Sequence, residues 1–476
     1  MIFSSLTFLF YFLPIFIIIY ISSPDNYRNI ILLLISFAFY FWGDPRPSLL
    51  LLLLLIISAN YLCGLLIGWS TGKVQKLFLA LGILGNISIL FLFKYINFTI
   101  QTIENLLNTS IFIPYISNRR IVFPLGISFI IFKVISYIID VYQGRVKPEK
   151  NVLTLATYIS MFPLLIAGPI VRYETVINDL RERTLSRKGL VEGIKLFTIG
   201  LSFKVILANQ FSFYADAVFS QRPEHLSICL AWLGAICYTL QIYFDFAGYS
   251  IMAIGLGKMI GFNFPDNFRL PYTVQSVTEF WRRWHITLTS WFRDYLYIPL
   301  GGNRRGSMTT YRNLIIVFFL CGMWHGPRFT FVFWGLYHGL FLIIERVFKE
   351  NNIDISFPRF LKHLYLLIVI TVGWVFFRSD NLHYAVKYIA LMFGMIKGDT
   401  SYTIHSLTSC IPALITLMLI GIMCSVVSER NIFEYEMKIK SKSGIILKFA
   451  CYTVLFLISV IILVISTHNP FIYQQF

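Results

Sequence analysis

The sequence predicts an all-α polytopic membrane protein, and three observations carry that prediction. Hydrophobic residues make up 57% of the 476 positions and charged residues only 13%, about half of the ~25% usual for a soluble domain. Uncharged runs such as residues 49–69 match the ~20 residues that a helix needs to cross ~30 Å of hydrocarbon. Most Lys and Arg lie in short loops between such runs, at 145–150 and 181–195 among others, as the positive-inside bias requires. The formal net charge of +17 is therefore read as loop and headgroup charge, not as a nucleic-acid footprint.

Apolar segments recur near 5–22, 30–43, 49–69, 77–97, 124–143, 155–171, 196–219, 228–262, 314–348, 360–377, 411–427 and 444–466. They amount to roughly ten to thirteen membrane segments. The first lacks a basic n-region and a small-residue cleavage site, so it is read as a retained span. No Lys or Arg precedes Arg28, which places the N-terminus outside. Segments 228–262 and 314–348 are too long for one simple span and contain Gly or Pro breaks. Each is read as two shorter helices or as a span plus a re-entrant piece. The seven cysteines (Cys63, Cys229, Cys237, Cys321, Cys410, Cys424, Cys451) form no CxxC pair and no His/Cys ligand spacing. Neither a disulfide nor a metal is expected. No repeat, low-complexity tract or soluble domain interrupts the chain, so residues 1–476 are read as one transmembrane domain.

The longest non-apolar stretch, 263–313, has the aromatic density of a folded insert. Within it, FWRRWHITLTSWFRDYLYIPLGG (280–302) concentrates charge and tryptophan. Read as one helix, 280–297 spreads Trp281, Trp284, Ile286, Leu288, Trp291, Phe292 and Leu296 over a broad apolar side. Arg282, Arg283, Arg293 and Asp294 fall on no single polar face. Tryptophans beside arginines suit an interfacial helix, and His285 is either an interfacial histidine or a functional one. In CGMWHGPRFTFVFWGLYHG (321–339), His325 sits inside an apolar segment, where ionisable groups are expensive and line cavities or pathways. Pro327 breaks the helix beside it. His338 follows 13 residues later, about 220° round an ideal helix, and ranks below His325. Among carboxylates in apolar runs, Asp140 and Asp245 stand out. A proton relay could use Asp245 and His325; so could an acyl transferase needing a base near neutral pH. No G-x-S-x-G elbow, H-E-x-x-H, DxDxG loop or P-loop is present.

Six stretches together resemble one family: PLGISFIIFKVISYIIDVYQG (124–144), FPLLIAGPIVRY (162–173), YFDFAGYSIMAIGLGKMIGFNFPDNFRLPY (243–272), FWRRWHITLTSWFRDYLYIPLGGNR (280–304), MWHG (323–326) and NPFIYQQF (469–476). The chain resembles the membrane-bound O-acyltransferases (MBOAT), above all the bacterial alginate and peptidoglycan O-acetyltransferase membrane components. The resemblance implies a helical bundle with re-entrant helices around a central tunnel. It also implies a catalytic core at about 120–345, with 263–313 as the floor of a reaction chamber and C-terminal spans at 360–467. It makes His325 and His285 the catalytic pair, with His325 the general base toward an acceptor hydroxyl and His285 orienting a reactant or stabilising the oxyanion. A covalent acetyl-His325 is the variant.

Asp245, Tyr249, Ser250, Trp324 and His338 are expected to support the pair or line the tunnel. Asp245 would hold a histidine or an arginine. Arg282, Arg283, Arg293 and Asn267 are expected to make donor or interface contacts. Asn267 and Arg269 would shape the turn into the insert, and Arg172 would be an interfacial anchor. The resemblance further implies an acetyl relay in a bacterial inner membrane, with no bound cofactor and acetyl-CoA as cytosolic donor. The acetyl group would pass outward to a periplasmic SGNH-type partner that esterifies a polysaccharide. Transfer of D-alanine from a carrier protein, a transporter with a histidine proton path, and a scaffold for periplasmic partners are the competing readings. In one departure, Ile251 stands where the subgroup commonly has Asp after FDFxGYS. It bears on donor, partner or acceptor contacts, not on the histidines.

Overall fold

The computed structural model describes residues 2–108, 123–353, 357–398, 411–427, 441–466 and 468–472. The expectations attached to Cys410 and to 473–476 lie outside them. Helices dominate, and no strand occurs among the described residues. In chain order they are α1 (Leu13–Ser22), α2 (Arg28–Gly43), α3 (Pro47–Trp69), α4 (Gly72–Lys94), α5 (Ile96–Leu107), α6 (Ile127–Tyr142), α7 (Val152–Ser160), α8 (Tyr173–Arg181), α9 (Arg187–Ser202) and α10 (Asn209–Phe219). They continue with α11 (Ile228–Met259), α12 (Val277–Arg283), α13 (Ile286–Phe292), α14 (Ser307–His325), α15 (Phe329–Glu350), α16 (Arg359–Arg378), α17 (Leu382–Met392), α18 (Ile411–Val426) and α19 (Lys442–Ile465). The packing divides into two compact units, Met1–Ile194 with Ala253–Pro265, and Lys195–Met252 with Asp266–Phe476.

Six described helices, α3, α4, α11, α15, α16 and α19, are long and apolar enough to cross a membrane, and shorter apolar helices occupy Phe8–Ser22 and Pro412–Val426. The chain is a multi-pass membrane protein. The number of full-length spans among described residues is lower than the ten to thirteen segments that hydropathy suggests. The difference arises because 30–43, 124–143 and 155–171 fold as shorter or interrupted helices. The expected break in 314–348 is present: Gly326 is extended at φ 172°, ψ 167° and ends α14, and Arg328 precedes α15 in extended conformation. The break expected in 228–262 is not, because α11 runs unbroken for 32 residues.

The glycines of α11 serve packing instead. In the second unit, a Cβ added at Gly248 would lie 2.7 Å from Gly200 O, and one added at Gly200 would lie 2.5 Å from Gly248 O. The backbones of α9 and α11 thus touch through two missing side chains, as small residues allow in membrane helix pairs. The contact fixes the segment of α11 that carries Tyr249 and Ser250. The antiparallel pair α14–α15 repeats the device: a Cβ at Gly335 would sit 2.2 Å from Phe318 O.

The start of α12 is capped twice. Ser276 Oγ accepts the Glu279 N–H at 3.1 Å, as N-cap serines do. From α15, the Glu345 carboxylate accepts the N–H groups of Val277 at 2.6 Å and Thr278 at 2.9 Å, an anion placed on a helix N-terminus. Gly248→Ala and Gly335→Ala are each expected to cost about 1–3 kcal/mol by overpacking, read as a lower thermal unfolding midpoint in detergent. Gly85→Ala, with nothing within 4 Å of its added Cβ, should leave the midpoint unchanged.

Candidate functional site

His285 occupies a break that the single-helix reading of 280–297 does not contain. The helix α12 ends at Arg283, Trp284 is extended, and His285 is left-handed at φ 44°, ψ 54° before α13 begins. A non-glycine residue in that region costs energy and needs surrounding structure to hold it. Asn267 supplies it. The Ile286 N–H donates to Asn267 O at 2.9 Å, and Thr287 donates to Asn267 Oδ1 from Oγ1 at 2.8 Å and from its backbone at 3.3 Å. His285 Nδ1 lies 3.0 Å from the same Oδ1, while Asn267 Nδ2 donates to Ser250 Oγ at 3.0 Å.

The tautomer follows from this network. A backbone N–H only donates, so the Asn267 atom facing Thr287 is the oxygen. His285 Nδ1 faces that oxygen too and carries the hydrogen. In the neutral ring, Nε2 is then the bare nitrogen. It is buried without a hydrogen-bond partner among the described residues. Burial also pushes the His285 pKa well below its ordinary value, because a dry site disfavours the charged form. A bare Nε2 accepts a proton or a hydrogen bond from a substrate O–H or N–H. Without a hydrogen of its own it does not donate to an oxyanion.

His325 ends α14, buried against the rings of Trp324 at 4.9 Å, Trp334 at 5.0 Å and Phe377 of α16 at 5.1 Å. Trp324 also reaches His285 at 6.2 Å, so one indole borders both histidines. His338 is fully buried among Trp281 at 5.2 Å, Trp334 at 5.3 Å and Tyr337 at 5.4 Å. Neither of its ring nitrogens has a hydrogen-bond partner among the described residues. The structure therefore gathers the three histidines along one aromatic row in the second unit, in the order His285, Trp324, His325, Trp334, His338.

Other expected site residues lie differently. Asn267, grouped with donor and interface contacts as a turn residue, is 1% exposed and organises the His285 loop. Asp245 pairs with Lys204 at 2.6 Å and accepts the Ile472 N–H at 2.9 Å, so among the described residues it holds neither a histidine nor an arginine. Tyr249 stacks on Phe471 at 4.8 Å. Arg283 pairs with Glu279, Arg293 with Asp294 and Arg269 with Asp266. Arg282 is exposed and has no charge partner among the described residues. Arg172 is the N-cap residue of α8 in the first unit, and Ile251 is buried. Lys204 was missed although the signal was available: it is a cation in the apolar run 196–219, and a buried carboxylate such as Asp245 demands one. The walls formed by Trp281, Trp334 and Phe377 come from three separate helices, and no local spacing announces them.

Comparison with known proteins places these features in a family context. The model of the membrane-bound O-acyltransferase family (MBOAT) matches residues 149–384, which include all three histidines. The chain is 39% identical over 494 residues to a probable alginate O-acetylase of Pseudomonas putida, covering 100% of both chains. It is 35% identical over 431 residues to a peptidoglycan O-acetyltransferase of Helicobacter pylori, covering 83% of this chain and 80% of that one. It is 28% identical over 253 residues to a teichoic acid D-alanyltransferase of Bacillus subtilis, covering 50% and 63%.

Asn267→Ala strands the His285 Nδ1–H and the Thr287 donors, at about 1–3 kcal/mol for a buried orphan. Turnover is expected to fall on the order of ten- to a hundredfold. Asn267→Asp keeps an acceptor oxygen but adds negative charge, which raises the imidazole pKa. With the neutral ring as the working form, the acid limb of the kcat profile should move to higher pH in that variant. A limb that stays in place would assign the titration to another group.

Proposed function

The chain belongs to the membrane-bound O-acyltransferase family and is a multi-pass membrane O-acyltransferase, and from that premise we propose that it passes acetyl from cytosolic acetyl-CoA toward the hydroxyls of a cell-surface polysaccharide. The acceptor is of the peptidoglycan or alginate type, reached with a periplasmic partner, and the membrane is the bacterial inner membrane. The observation that carries the reading is the pair of buried imidazoles, His285 and His325, bordered by one indole, with His285 Nε2 left as an acceptor.

The direction of transfer has support in charge. Arg304, Arg305 and Arg312 at the start of α14, Arg346 and Lys349 at the end of α15, and Arg359 and Lys362 at the start of α16 gather at one end of these antiparallel helices. The Tyr311–Glu350 hydrogen bond at 2.6 Å joins that end. The positive-inside bias makes it cytoplasmic. His325 closes the other end of α14, facing the outward side, where an acceptor would arrive.

In the proposed reaction the acceptor oxygen attacks the thioester carbonyl. A C–O bond forms, the C–S bond breaks, and His325 takes the hydroxyl proton and returns it to the departing thiolate, giving free coenzyme A and an O-acetyl ester. His285 accepts a hydrogen bond from one reactant and holds it in line. Asn267 and Thr287 keep that ring in place.

The test uses purified protein in nanodiscs with radiolabelled acetyl-CoA and a hydroxyl acceptor. Wild type should release free thiol, and His325→Ala should lower release by at least ~100-fold, the scale of lost general-base catalysis. Label retained on wild-type protein but not on the variant would favour a covalent acetyl-histidine. No thiol release from wild type with acceptor and partner present would shift the donor to a carrier protein, as the similarity to a D-alanyltransferase allows.

A further inference from the structure

Away from the histidine row, a cavity of about 940 Å³ opens between α12, α15 and α16. Three cations line it, Arg282, Lys349 and Lys362, and none of them has an ion pair or hydrogen bond to another described residue. Among the described residues its one lining carboxylate, Glu345, is committed to the N-terminus of α12, taking the Val277 N–H at 2.6 Å, the Thr278 N–H at 2.9 Å and the Thr278 hydroxyl at 2.6 Å. Among the described lining residues, positive charge therefore outnumbers negative. The rest of its wall combines the apolar side chains of Phe341, Ile344 and Leu361 with the neutral polar residues Gln275 and Asn352. Phe348 and Phe357 at its margin stay 40% and 54% exposed.

We infer that this cavity binds an anionic phospholipid. The phosphate would sit among Arg282, Lys349 and Lys362, with an acyl chain along Phe341, Ile344 and Leu361. Position supports the assignment. Lys349 lies in the last turn of α15 and Lys362 in the first turn of α16, two helices with the length and apolarity of membrane spans. Their basic ends lie at headgroup depth on the side that the positive-inside bias makes cytoplasmic, where basic pockets between spans take anionic headgroups. A small water-soluble anion would use the cations but not the apolar wall. The bound lipid would also steady α12, whose Trp281 packs on His338.

Native mass spectrometry and thermal unfolding of the purified full chain in detergent, titrated with phosphatidylglycerol or phosphatidylcholine, test the inference. Wild type should retain phosphatidylglycerol in preference to phosphatidylcholine and gain thermal stability from it. Lys349→Gln/Lys362→Gln should weaken that retention by about tenfold or more, since each basic residue near an anionic headgroup strengthens binding. Equal retention of the two lipids by wild type would overturn the inference without reference to the variant's folding. Displacement of the bound phosphatidylglycerol by coenzyme A would overturn it as well, giving the cavity to a soluble donor. Lipid retention is read without turnover, so its failure leaves the acetyl-transfer reading standing.

Discussion

The carboxamide of Asn267 ties Ser250 of α11, the turn at His285 and the start of α13 to a single buried point. One oxygen takes hydrogen from Thr287 and from His285, and the amide nitrogen gives hydrogen to Ser250. A buried amide left with open valences would destabilise the loop, so the backbone follows the amide. The left-handed residue, the break between α12 and α13 and the ring tautomer all depend on this one uncharged side chain. Which nitrogen of His285 stays bare is thus set by a neighbouring amide.

Formal charge is handled elsewhere on the same helix. Asp245 lies one turn before Tyr249 on α11 and is closed by Lys204, Ile472 N–H and, through Lys204, Pro470 O. Two ions taken out of water are costly unless they are paired and their remaining valences filled, and here backbone from 470–472 fills them. The histidine row is walled by rings instead. At His285 the polar partner is the neutral amide of Asn267, and burial holds the ring's proton affinity down.

Much of this was legible from residue types. Histidines within apolar stretches, Pro327 after His325, and the charged stretch around His285 each violate the composition around them, and each falls in the second unit. The helix break at Gly326 was readable because Gly-Pro forbids continuation. The break at His285 was not, since its cause is a residue 18 positions earlier in sequence and local propensity carries no trace of it. The glycines of α11 misled in the opposite direction. In a soluble helix they would suggest an ending, whereas here Gly248 makes room for a neighbouring backbone. Asn267 looked like a turn former because Pro-Asp-Asn commonly is one, and only burial distinguishes a turn from a hub.

The walls of the histidine row also give the protein an optical property. Trp281 lies 5.6 Å from Trp334, Trp334 lies 5.8 Å from Trp374, and Trp374 lies 4.9 Å from Trp284. Four of the nine tryptophans thus form one coupled set of chromophores, close enough to share excitation energy before any of them emits. Trp334 touches both His325 and His338, and a protonated imidazole quenches indole emission efficiently. The intrinsic fluorescence of the molecule is therefore weighted toward the histidine row, and a change in imidazole protonation there would register as a change in light output without any added label.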